Sequence, residues 1–106
     1  MMNDNILKNH ELWKSVVLNM TLALLGRVSI SMRGVTLNFD SDTIQIIVFF
    51  ESKPSDVEID NMQEVEAEII SSHDYQSNLV LVELPVAESL MDKVKNWGWV
   101  YLRYEN

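Results

Sequence analysis

Apolar and polar residues alternate twice in the middle of the chain. Val35, Leu37 and Phe39 are separated by Thr36 and Asn38. After the polar run Asp40-Ser41-Asp42, the residues Ile44, Ile46, Val48 and Phe50 resume the alternation. A period of two is that of a half-buried strand. The short polar break between the runs predicts a β-hairpin over Val35–Glu51. A lone hairpin is marginal in water, so the rest of the chain must cover it.

Upstream the period changes to that of a helix, over Ile6–Leu25, with Asn3, Asp4 or Asn5 available as a cap. Trp13, Val16, Val17, Met20 and Leu24 share one face, the expected core stripe. Leu18, Leu22 and Leu25 form a second stripe opposite, so this helix is either wedged between two layers or meets another chain. Gly26 fits a left-handed C-cap. In Arg27–Gly34, Val28, Ile30 and Met32 alternate with polar residues, and Gly34 is a candidate bulge.

Downstream, Ser55-Asp56-Val57-Glu58 has capping-box form and opens a second helix to about Ser71. Its predicted buried face is Ile59, Met62, Val65, Ile69 and Ile70. Leu79–Leu84 is apolar at nearly every position, the pattern of a strand covered on both faces or central in its sheet. Ala87–Lys95 is short enough for one helical turn. Trp97–Glu105 reads as a last strand with Val100 and Leu102 on one side and Trp99, Tyr101 and Arg103 on the other. The order α-β-β-α-β-β predicts a two-layer α+β sandwich with two helices and a mainly antiparallel four-stranded sheet. If both helices pack on one sheet face, the other carries Ile47, Phe49, Trp99, Tyr101 and one set from Leu79/Leu81 or Val80/Val82. That face is too apolar to stand bare, and the first helix, a dimer mate or a partner are candidates to cover it.

Length makes this one domain, 1–106, and 47% hydrophobic residues are enough for a packed core. The absence of cysteine excludes disulfides, thiolate metal sites and a cysteine nucleophile, and fits a reducing, cytoplasmic setting. The first residues lack a basic segment before an apolar run, so no secretory signal is expected. The apolar stretch Val16–Leu25 is too short to span a bilayer. A net charge of −8, from sixteen acids and eight bases, repels phosphate backbones and suits a basic protein partner.

The two histidines, His10 and His73, are far apart and each lies in a polar setting, so surface positions suit them better than metal ligation. No nucleophile-elbow, zinc-helix or phosphate-loop motif is present, and the expectation is a protein with no enzymatic activity, cofactor or metal. The acids are concentrated instead. Glu51–Asp74 holds eight of the sixteen, with Lys53 the sole lysine or arginine. Asp56 and Glu58 are favourable near a helix N-terminus. Asp60, Glu64 and Glu68 repeat four apart, and each like-charge pair costs ~0.2–0.5 kcal/mol. Such a row is ordinarily a solvated face. It is also what a docking face for a basic surface requires, with Glu66 and Asp74 adding to its field. The C-terminal aromatics Trp97, Trp99, Tyr101 and Tyr104 divide in the same way, between strand packing and interface contacts.

Ala23-Leu24-Leu25-Gly26-Arg27-Val28, Arg33, Val35, Phe49-Phe50, Val65-Glu66-Ala67-Glu68-Ile69-Ile70, Leu84-Pro85 and Val100-Tyr101-Leu102-Arg103 together form a pattern. It resembles small bacterial immunity proteins, including those of contact-dependent growth inhibition systems, over residues 20–104. The resemblance implies a cytoplasmic monomer or weak dimer. Such a protein binds the toxic C-terminal domain of a cognate effector, often a nuclease, and touches neither nucleic acid nor membrane. Asp56, Glu58, Asp60, Glu64, Glu66, Glu68 and Asp74 are the candidate contacts, followed by Trp99, Tyr101 and Arg103. The longer N-terminal helix and the stretch Glu88–Lys95 depart from the pattern and are candidate specificity elements. The alternative is a homo-oligomeric structural or adaptor protein that binds another basic partner.

Overall fold

The computed structural model describes residues 4–40, 43–72, 76–92 and 98–105. These form α1 (Asp4–Ala23), β1 (Met32–Asp40), β2 (Thr43–Phe50), α2 (Asp56–Ser72), β3 (Gln76–Glu83) and β4 (Trp99–Leu102). The fold is α+β in the expected order, with a four-stranded mixed sheet arranged β3-β2-β1-β4. The hairpin β1–β2 lies at its centre. It is antiparallel, as is β1–β4, whereas β2 and β3 run parallel with α2 as the crossover.

The period-2 residues Val35, Leu37, Ile44, Ile46, Val48 and Phe50 build one core with Val16 and Met20 of α1, Leu24 in the turn after it, and Met62, Val65 and Ile69 of α2. Two expectations about the helices change. Ile70 is 42% exposed and leaves the buried face of α2. Leu18, Leu22 and Leu25 are 61%, 58% and 71% exposed, so α1 is not wedged between layers of its own chain. Gly26, at φ 78°, turns the chain beyond α1, and the Arg27 N–H closes that turn on the Leu24 carbonyl at 2.9 Å.

The apolar run in β3 does not make it central; β3 is an edge strand, paired along its length with β2. Its apolar residues instead serve two faces. Leu79 and Leu81 pack on the helix-side core, and Val82 packs on the opposite cluster around Phe49.

Two bulges set which side chains face where. In β1 the register passes from Met32↔Phe50 to Gly34↔Phe49, which leaves Arg33 as the extra residue. In β4 it passes from Tyr101↔Val35 to Trp99↔Thr36, which leaves Val100 extra. The second bulge breaks the simple alternation expected of the last strand. Trp99 joins the far-face cluster, while Tyr101 packs toward the helix-side core. β4 is also shorter than expected, although the Arg103 N–H still reaches the Arg33 carbonyl at 2.9 Å.

The far face is covered in part by the chain itself. Leu84 and Leu90 bury against Phe49, with Ile47, Val82 and Trp99 packed around them. Residues 84–92 follow turns, not a helix, up to the limit of the described segment. No helix among the described residues is long and apolar enough to cross a membrane.

Candidate functional site

Ser55 and Glu58 form the reciprocal cap that the sequence predicts. The Ser55 N–H donates to Glu58 Oε1 at 2.9 Å, and the Glu58 N–H donates to Ser55 Oγ at 3.2 Å. Glu58 Oε2 also accepts the hydroxyls of Ser29 and Ser31, the latter at 2.6 Å. Burial pushes this carboxyl up, but the serine hydroxyls and the Ser55 backbone outweigh it and hold it at about 2. Glu58 therefore ties the loop before β1 to the start of α2, and its lone pairs face inward.

The other acids of α2 divide by position. Glu66 is half-buried and accepts the Ser77 hydroxyl at 2.7 Å, which anchors β3. Asp56, Asp60, Glu64 and Glu68 are exposed and, at intervals of four residues, stand on one side of the helix. Asp74 lies outside the described residues, as do His73 and Trp97. The repulsion within the row has a local answer that α2 alone does not reveal. Arg27 donates to the Ala23 carbonyl at 2.8 Å and reaches across to Glu64 at 3.3 Å and Glu68 at 3.0 Å. One guanidinium thus ties the end of α1 to the acidic row, and two carboxylates share one positive charge.

Beside Arg27 the surface becomes apolar. Leu24, Leu25, Gly26 and Val28 form one wall of a groove of about 350 Å³, and Val100 and Tyr101 of β4 form the other. Thr21 completes it, with its hydroxyl donated to the Val17 carbonyl at 2.8 Å. The groove is thus mostly apolar and runs along the edge of the sheet.

At the far end of β1 lies a second charged group that the sequence reading did not single out as a site. The bulge turns Arg33 under residues 84–88, where it is 2% exposed. Its Nη1 donates to the carbonyls of Leu84, Pro85 and Glu88 at 3.2, 3.2 and 3.0 Å. Its Nε and Nη2 grip both oxygens of Glu105 at 2.8 Å each. Arg103 adds a bond to Glu105 at 2.9 Å, another to the Ile30 carbonyl at 2.7 Å, and a longer one to Glu51 at 3.3 Å. Arg33 holds the Glu105 carboxyl at about 2 against the effect of burial, with help from Arg103. The same hydrogen bonding raises the Arg33 guanidinium above its ordinary range, against its burial. These groups satisfy one another, so Arg103 is occupied as a brace between β4, β2 and the loop before β1. The signal for this site is an arginine beside a glycine at the start of an alternating strand.

Trp99 is likewise committed to packing. Its ring lies over Gly34, 2.7 Å from where a Cβ would stand, and 5.9 Å from the Phe49 ring at a tilt of 59°. Of the three C-terminal candidates, Tyr101 is the one that lines the groove. Among the described residues no group of three or more histidines or acids could hold a metal ion.

The family model described as MafI2 immunity protein matches residues 13–105. That span takes in α1 from Trp13, the whole sheet and Glu105. No curated protein matches the chain.

Proposed function

The chain belongs to the MafI2 immunity protein family, and from that premise we propose that it neutralises a nuclease toxin domain by setting the acidic row of α2 against a basic surface. The match across residues 13–105 is the observation that carries this reading, because an immunity protein acts by binding a cognate toxin. Nothing in that action requires turnover. The row Asp56, Asp60, Glu64 and Glu68 supports the choice of face, since it is exposed and the chain carries a net charge of −8. A nuclease binds phosphates through basic residues, and an acidic face can take their place. Glu58, Glu66, Trp99 and Arg103 then act by shaping the face from within. Delivery by a contact-dependent growth inhibition effector and action in the cytoplasm belong to the same proposal.

The test is binding to the toxin domain encoded in the adjoining reading frame. Wild type is compared with the Asp60→Asn, Glu64→Gln, Glu68→Gln triple variant. Clustered like charge raises encounter rates, so the variant should associate roughly ten- to a hundredfold more slowly at low salt, with the difference closing at high salt. A folded variant with unchanged rates and salt dependence would rule out the acidic row. A wild type that neither binds nor protects would rule out the toxin.

A further inference from the structure

The acidic row ends at Arg27, and Arg27 borders the apolar groove between α1 and β4. We infer that this groove receives an apolar side chain of the toxin domain, flanked by basic residues, and that this contact sets how long the complex lasts. The inference rests on the toxin-binding reading above and names a second part of the same surface.

Three observations place the occupant. First, the lining is mostly apolar: the Thr21 hydroxyl is taken by the Val17 carbonyl, and apart from Tyr101 the other lining side chains are aliphatic. An apolar side chain that packs on the aliphatic wall therefore buries few donors or acceptors. Second, the segment that lines the groove exposes further apolar side chains. Leu22 and Leu25 are more than half exposed and Ile30 is 91% exposed. Apolar surface of this kind, rimmed by charge, marks a protein interaction site. Third, exposed acids stand at the lip, where Glu64 and Glu68 both reach Arg27, in a chain of net charge −8. A basic partner drawn to that row is brought to the groove, whereas a second copy of this chain meets its own acids there. Long-range charge governs encounter, and a desolvated apolar anchor governs dissociation.

Two variants test this against the wild-type chain, with the adjoining-frame toxin domain as probe. Leu25→Ser with Val28→Ser removes exposed wall residues, and Thr21→Trp fills the groove while keeping it apolar. Circular dichroism and the urea midpoint establish that each is folded. Each should speed dissociation about 30-fold or more, while the association rate and its salt dependence stay at wild-type values. Wild-type dissociation from either folded variant overturns the inference. The acidic-row reading is then judged separately by its own triple variant. A micromolar dimer of wild type that the double variant abolishes, with toxin binding unchanged, also overturns it and assigns the groove to self-association. A wild type that binds no toxin removes the premise and the inference together.

Discussion

Replacing Arg33 by methionine keeps length and removes the charge, and it should be the most damaging single change at the far end of the sheet. Wild-type Arg33 makes two bonds to the Glu105 carboxylate and three to carbonyls of Leu84, Pro85 and Glu88. Breaking a buried ion pair by deleting one partner costs ~3–5 kcal/mol. Here the Glu105 side chain is 26% exposed, so water recovers part of its solvation and the lower end applies. Of the three carbonyl bonds, only the one to Leu84 is buried, so the other two acceptors also find water. The sum is about 3 kcal/mol. With a urea slope of roughly 1.5 kcal/mol per molar, the unfolding midpoint falls by ~2 M, and Tm falls by about 15 °C. Urea titration followed by tryptophan fluorescence reads this directly. Arg33→Lys keeps the charge but cannot serve both oxygens of Glu105 and the carbonyls at once, so it should recover only about half of the loss. A methionine variant within ~0.5 M of wild type, or a lysine variant equal to wild type, refutes the claim that the guanidinium fork holds this end together.

Stability should be highest at neutral pH and fall on acidification. Glu58 and Glu105 lie at about 2 in the folded protein against 4.5 as the ordinary value, so their contribution is present above pH 4.5 and is lost as pH falls toward 2. Urea midpoints from pH 7 to 2 should show this, with a shallower decline in Glu58→Gln. Gly34→Ala places a Cβ 2.7 Å from the Trp99 ring, so it should cost ~1–3 kcal/mol and shift the tryptophan emission. An unchanged spectrum and midpoint would mean that the ring moves aside freely.

The hairpin, the capping box and most of the core were legible because each depends on neighbours within a few residues. Val35 to Phe50 alternates as a strand pair must, and Ser55 and Glu58 need only one another to declare a helix start. The failures share a cause. A bulge inserts one residue without altering composition, so the period-2 reading put Tyr101 on the wrong side and gave Arg33 no role as a site. The position of β3 depends on which edge of β2 is left open, and its apolar run looks the same at an edge as at the centre. The acidic row could be read from α2, but Arg27, its counterion, lies 37 residues before Glu64. The groove is formed by the end of α1, the turn that follows it and β4, and no local pattern joins segments so far apart.

The clasp between Arg33 and Glu105 spans 72 residues, which has a consequence for the order in which the molecule is made. Closing that loop costs roughly 2.5 kcal/mol more entropy than bringing together Asp40 and Thr43, the paired ends of β1 and β2. During synthesis the hairpin and its α2 crossover therefore have their partners early, whereas Arg33 waits. Until Glu105 leaves the ribosome, β1 has an unpaired edge and Arg33 has no carboxylate to hold. The hazard to this protein is concentrated in that interval, as misassembly of a half-made sheet.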